Sequence, residues 1–179
     1  MALILQKGRP ADMTGREARE VRTYDFLDKI KIEYERIDHA RAMTMEVCEE
    51  IDAALGCIIC KNLFLTNRQQ TDFYLLLICG DKPFRTSEVS KKLGISRLSF
   101  ATPEHMRDML DILPGSVSVL GLMNDKEKKV KLVVDSELLS AEYFGCHPCE
   151  NTSSLKLRTE DIFNNFLPAV GYDYVAIEI

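Results

Sequence analysis

The chain has 179 residues, 46% of them hydrophobic, and a formal net charge of −5. That size suits one substantial core and leaves little room for two, so a single domain over residues 1–179 is expected. The negative balance argues against a protein that coats long nucleic acid by neutralising phosphates, while leaving room for a small contact with one RNA end. The longest apolar runs, such as Phe73 to Cys79, fall far short of the roughly 20 residues of a membrane span. Met1 to Pro10 has no basic stretch followed by a long apolar one, so neither a secretory leader nor a membrane partner is expected, and the cytoplasm is the expected compartment.

From Thr14, the segment TGREAREVRTYDFLDKI places Ala18, Val21, Phe26, Leu27 and Ile30 at helical spacing beside many charges. Tyr34 to Ile37 reads as a brief strand before Asp38-His39. Thr44 can cap a helix running to Leu55, with Glu46 in its first turn and Gly56 as its stop. Cys57 to Thr66 and Asp72 to Cys79 read as paired central strands. Helices follow near Thr86 to Leu93, ended by Gly94, and near Pro103 to Leu110, where Thr102-Pro103-Glu104 supplies cap, first-position proline and acid.

After Pro114-Gly115 the pattern turns β-rich. Ser116 to Leu122, the polar turn NDKEKK and Val130 to Val134 read as a hairpin. Ser136 to Leu139 is a helical turn, Glu142 to Cys146 and Ser154 to Leu157 are short strands, Thr159 caps a helix through Leu167, and Tyr174 to Ile177 is a last strand. Strands and helices mix without regular alternation, which predicts an α+β fold in which a curved mixed β-sheet wraps a barrel-like core with flanking helices.

The chain has no GxGxxG, Walker loop, H-E-x-x-H or G-x-S-x-G, so the usual supports of phosphoryl transfer, zincin and α/β-hydrolase chemistry are missing. Among its six cysteines, Cys57-x-x-Cys60 and Cys146-x-x-Cys149 have the spacing of a four-thiolate zinc site. However, Cys57 and Cys60 lie in an apolar run read as a strand, where positions three apart point to opposite faces. Buried thiols without metal or other cofactor are therefore the expectation.

Three polar features stand out, each with a structural alternative. Lys61 interrupts a strand of Ile58, Ile59, Leu63, Phe64 and Leu65; unless it snorkels from an outer face, it must meet a cavity or an anion. Pro114-Gly115-Ser116 allows either a simple turn or a close backbone approach to a ligand. His147-Pro148, followed by Asn151-Thr152, places an imidazole, an amide and a hydroxyl in one loop, which either lines a site or is a structural turn.

In order and spacing, several segments together resemble the YbaK/prolyl-tRNA deacylase family. These are Lys61-Asn62-Leu63-Phe64-Leu65, Pro114-Gly115-Ser116-Val117 leading to Asn124-Asp125, Val133-Val134-Asp135, His147-Pro148 with Asn151-Thr152, and the segment TEDIFNNFL from Thr159 to Leu167. Within that family they are most similar to the freestanding alanine-type editing proteins. The resemblance implies hydrolysis of the ester joining alanine to the 3′-terminal adenosine of proline tRNA. It carries the family's lysine, glycine and histidine onto Lys61, Gly115 and His147 as catalytic residues, with Asn62, Ser116 and Asn151 binding substrate.

The implied partners are the acceptor end of proline tRNA and prolyl-tRNA synthetase. Met43, Met45 and Val47 are candidates for a wall that excludes proline, and core packing would also account for them. Val119-Leu120 stands where close relatives would carry a proline-phenylalanine-like pair, which leaves open the amino acid removed, cysteine included. The other readings are a non-catalytic module that binds tRNA or a synthetase, and a regulatory protein that senses a small amino acid.

Overall fold

The run Phe73–Ile78 is buried at every position, which an amphipathic strand cannot be, so it must carry protein on both faces. It does. Phe73, Leu75 and Leu77 join the main core, while Tyr74, Leu76 and Ile78 join a second cluster with Leu65, Val89, Leu98 and Val133. The structure is a computed structural model and describes residues 3–41, 45–57 and 59–179, leaving aside the side chains of residues 45 and 46.

In chain order the regular elements are β1 (Leu5–Lys7), α1 (Ala18–Lys29), β2 (Tyr34–Asp38), α2 (Met45–Leu55), β3 (Lys61–Asn67), β4 (Phe73–Ile78), α3 (Thr86–Leu93), β5 (Leu98–Phe100), β6 (Val130–Asp135), β7 (Tyr143–Cys146), β8 (Ser153–Arg158) and β9 (Tyr174–Ile177). Helical segments also span Pro103–Leu110 and Thr159–Val170, π-type at the end of the first (Met106–Leu110) and in the middle of the second (Ile162–Phe166), and Val119–Met123 and Ser136–Ser140 form 3-10 turns.

The architecture is α+β, as the mixed pattern predicts, built on two sheets. One has the order β1-β2-β8-β7, antiparallel throughout, and the other the order β5-β3-β4-β6-β9. In the second, β3 pairs antiparallel with β4 and β5, while β4–β6 and β6–β9 are parallel. The sheets meet where Ile59 bridges Gly145 and Cys60 N–H donates to the Gly145 carbonyl at 2.8 Å. They do not close into a barrel. The main core lies between them and includes Tyr24 and Leu27 of α1, Phe64 of β3, Phe144 of β7 and Phe166.

The segment Ser116 to Leu122 is not a strand, and no hairpin joins it to β6, because β6 pairs in parallel with β4. Side chains capture the backbone there instead. Ser118 Oγ accepts from Leu120 N–H at 3.2 Å, and Asn124 Nδ2 donates to the Leu110 carbonyl at 2.8 Å. Helix α1 begins at Ala18 rather than Thr14, and its buried stripe is Glu20, Thr23, Tyr24 and Leu27. Glu20 can be inside because Arg16, Tyr24 and Ser153 all bond its carboxylate. The short edge strands β1 and β5 have no counterpart among the predicted strands.

Thr44, the expected cap of α2, lies outside the described residues. Other caps fall where the sequence puts them: Thr102 Oγ1 accepts from His105 N–H at 3.3 Å, and Gly94 ends α3 at φ +65°. Phe64 is 1% exposed at the centre of the core. Replacing it with alanine should cost about 3–5 kcal/mol of stability, measured by urea unfolding; a loss below about 1 kcal/mol would mean that the two sheets do not pack through this ring.

Candidate active site

Lys61 is the first residue of β3, not a residue within it, and there the strand has a neighbour on one side only, since β5 pairs with Leu65–Asn67 alone. Its register partner is Ile78, on the side of the second cluster, whereas Asn62 pairs with Leu77 on the side of the main core. The half-buried ammonium donates to the Lys82 carbonyl at 2.6 Å. Lys82 is itself anchored, with Nζ 2.8 Å from the fully buried Asp135 and 2.6 Å from Glu137. One of the three ammonium donors of Lys61 is therefore held, and among the described residues the other two meet no protein acceptor.

Asn62 points the other way and ties two elements together. Its Oδ1 accepts from Val119 N–H at 2.8 Å, and its Nδ2 donates to the Cys60 carbonyl at 2.8 Å. This holds the loop that carries Gly115 and Ser116 against β3. Gly115 has φ +85°, in the left-handed region, and a Cβ there would stand 3.6 Å from Asn151 Nδ2, so the two segments touch. Ser116 N–H is occupied by the Leu113 carbonyl at 3.0 Å, but its hydroxyl is fully buried with no hydrogen-bond partner. A buried hydroxyl left unpaired costs free energy, which a ligand or water can return.

His147 follows β7, one residue beyond Cys146. Its Nδ1 lies 2.9 Å from the Ser153 carbonyl, which can only accept, so the proton sits on Nδ1 and the Nε2 lone pair is left. No described residue bonds Nε2. The ring keeps some accessible surface yet is closely surrounded by protein, and this burial pushes its pKa below the usual 6.5; nearby His39 acts in the same direction, and the bond to Ser153 opposes them.

The structure thus brings Gly115 and Asn151 into contact, ties the Gly115 loop to Asn62 through Val119, and sets His147 four residues before Asn151 in the β7–β8 connection. No hydrogen bond or ion pair among the described residues joins Lys61 to Gly115 or His147. Two open clefts lie apart from Lys61, Gly115 and His147. One, of about 380 Å³, is lined by Arg16, Arg41, Glu150 and Thr152 among others; the second is lined by Glu142, Arg158, Phe163 and Tyr174 among others.

Cys60, Cys146 and Cys149 are buried, and Cys57 is half-buried. Burial raises all four thiols, Cys57 to about 11 and Cys149 to about 12, with Cys60 and Cys146 also well up. Neither Cys57 nor Cys60 lies in a strand, since β3 begins at Lys61, so the alternation expected of that pair does not apply. Among the described residues no group of three or more His, Cys, Asp and Glu side chains is arranged to hold a metal.

Residues whose importance only the fold reveals are His39 and Ser154. Ser154 Oγ stands 2.9 Å from His39 Nε2 and 3.5 Å from His147 Nδ1. No local motif marks them, since the three come from β8, the end of β2 and the loop after β7.

Residues 39–164 match the family model described as the aminoacyl-tRNA editing domain. The chain is 32% identical over 153 residues to the prolyl-tRNA editing protein ProX of Acetoanaerobium sticklandii, spanning 86% of this chain and 93% of that one. It is 29% identical to the prolyl-tRNA synthetase associated domain-containing protein 1 of Danio rerio, over 77% of this chain and 76% of the relative. Its fold is similar to the solved structure of a candidate trans-editing enzyme for prolyl tRNA synthetase, with a TM-score of 0.66 at 16% identity over 91% of this chain and 98% of the other. With its matched segment running from His39 through both sides of the Gly115–Asn151 contact, the chain belongs to the aminoacyl-tRNA editing domain family.

Proposed function

We propose that the chain is a trans-editing hydrolase that deacylates mischarged tRNA, and specifically alanine esterified to the 3′-terminal adenosine of proline tRNA. The observation that carries this reading is the exposed, left-handed Gly115 against Asn151, in the loop that Asn62 tethers. An aminoacyl ester is already activated, so the protein needs no serine nucleophile. Positioning the ester and a water, and stabilising the oxyanion that develops, supply the rate.

In this reading the exposed Gly115 amide faces the acyl carbonyl, while Ser116, its amide occupied by Leu113 and its hydroxyl fully buried, supports the turn from behind. Asn151, touching Gly115, lines the acyl pocket. Neutral His147 accepts a hydrogen bond at Nε2 from a ribose hydroxyl or the attacking water, and the substrate's own 2′-hydroxyl assists that water. Lys61 sits at the sheet end with two donors open and takes a phosphate oxygen of the terminal nucleotide as a point charge. Steric exclusion of proline is a stronger device than attraction to alanine, since one methyl group offers only about 1–3 kcal/mol. Of the proposed wall, Val47 is exposed on α2, while Met43 and the Met45 side chain lie outside the described residues. No helix is long and apolar enough to cross a membrane among the described residues; the proposed setting is the cytoplasm, with prolyl-tRNA synthetase as the source of substrate.

The decisive assay offers proline tRNA charged in turn with alanine, cysteine, serine and proline. Alanine should be released fastest and proline retained; release of none would leave a binding module. Lys61→Ala should lower deacylation at least about 100-fold with unchanged unfolding, and full turnover would remove Lys61 from the site. Gly115→Ala forces an L side chain to φ +85° at a cost of about 1 kcal/mol, and because its Cβ meets Asn151 only at ordinary contact distance, the loss of activity should come from the shifted backbone. An equally active Gly115→Ala enzyme would exclude close approach there.

Because burial depresses the pKa of His147 below its unfolded value of 6.5, its contribution to stability is complete above that pH and is lost as the pH falls through the folded value. The stability of His147→Asn relative to the native chain should therefore improve between about pH 7.5 and about pH 5. Equal acid losses in urea unfolding of the two proteins would contradict the burial of this ring.

A further inference from the structure

His39 follows β2 and is 8% exposed, its amide donating to the Thr152 carbonyl at 3.0 Å. Its Nδ1 lies 2.8 Å from the Ala40 carbonyl, which can only accept, so Nδ1 carries the proton and Nε2 is an acceptor. That acceptor takes the Ser154 hydroxyl proton at 2.9 Å. Ser154 is fully buried, and the free side of its oxygen stands 3.5 Å from His147 Nδ1, a weak second acceptor for the proton that goes mainly to Ser153. The two imidazole rings lie edge to face with centroids 6.2 Å apart.

Every donor in this chain runs one way. His147 Nδ1–H points to the Ser153 carbonyl and Ser154 Oγ, Ser154 O–H points to His39 Nε2, and His39 Nδ1–H points to the Ala40 carbonyl. Both ends are carbonyl oxygens, which cannot donate, so the order cannot reverse. If Ser154 O–H lost its acceptor, the hydroxyl would be free to turn its proton toward His147 Nδ1 and oppose the proton already there.

We propose that His39 is a positioning residue for His147: by taking the Ser154 hydroxyl proton it stops that hydroxyl from competing with the Ser153 carbonyl, so that His147 keeps the Nδ1–H tautomer the carbonyl selects and its Nε2 lone pair stays aimed at the substrate. The role rests on the editing function proposed above for His147. His39 touches no substrate and acts only by orienting Ser154.

The test uses the full chain. His39→Leu keeps the bulk and removes the acceptor, His39→Gln restores an acceptor oxygen, His39→Met serves as the second variant should the leucine fail to fold, and Ser154→Ala added to His39→Leu removes the freed hydroxyl. Long-range nitrogen-15 NMR of the imidazoles should show His147 as the Nδ1–H tautomer in the native chain, a mixture of tautomers in His39→Leu and His39→Met, and Nδ1–H again in the double variant, where the Ser153 carbonyl is the partner left. Deacylation of alanyl-tRNA by His39→Leu and His39→Met should lose about 10-fold in kcat, the scale seen when an outer partner of a working histidine is removed, with KM little changed and most of the loss recovered in His39→Gln. A native Nε2–H tautomer, or an unchanged tautomer and kcat in a folded His39→Leu or His39→Met, would overturn the proposal. Should the native chain hydrolyse no aminoacyl-tRNA, the editing function fails while the NMR comparison still decides whether His39 sets the state of His147.

Discussion

The seam between the two sheets sets the geometry of everything downstream. At one point, Ile59 bridges Gly145 and Cys60 N–H bonds the Gly145 carbonyl at 2.8 Å. Lys61 and Asn62 follow immediately on one chain, Cys146 and His147 on the other. Segments more than 80 residues apart are thereby joined at the residues that precede each candidate group, so a slip of one residue at the seam would exchange the faces on which those groups stand. The thiols beside the seam, Cys60 and Cys146, fit it as small buried groups held protonated by desolvation.

Behind the imidazole lies a buried polar network that limits where β8 can sit. Arg16 Nη2 pairs with Asp38 at 2.8 Å, and Ser153 Oγ, with one proton to give, stands 2.6 Å from Asp38 and 3.0 Å from Glu20. Burial of Asp38 works against its charge, but Arg16, Ser153 and Arg36 outweigh it and hold the carboxyl below its usual range. Such buried pairs add little net stability, since desolvation offsets most of the attraction. Their effect here is positional: they fix Ser153, whose carbonyl orients His147, and the adjoining Ser154, whose hydroxyl meets His39. An ion network on α1 and β2 thus reaches the imidazole through one backbone carbonyl and one side-chain oxygen.

The two flanks of the candidate site differ in kind. On the Asn62 side, the Gly115 loop is tethered by a side-chain-to-backbone bond and carries a buried, unsatisfied hydroxyl. On the Lys61 side, a cation at a sheet end is braced on Lys82 and, through it, on buried Asp135. A chain whose net charge is negative can meet a nucleic acid at such a point because the contact is local, needing a few placed donors in place of a broad positive field.

Periodicity and caps were sufficient for much of the fold. The Tyr34 strand, the helix ending at Gly56, the α3 helix ending at Gly94, the Thr102 cap and the β4 run are local patterns, and local hydrogen bonding and burial decide them. The ordered set of Lys61-Asn62, Gly115-Ser116 and His147 with Asn151 was likewise legible as a family resemblance. Three things were decided only in three dimensions. Ser116 to Leu122 reads as a strand but is held by Asn62 and Ser118 side chains, and the partner of β6 is β4 rather than its chain neighbour. Glu20 faces inward because its partners come from distant segments. Lys61 and Asn62 diverge to opposite faces, and His39 reaches His147 through Ser154, because pairing between strands far apart in the chain determines which neighbours each side chain meets; that information is absent from any single segment.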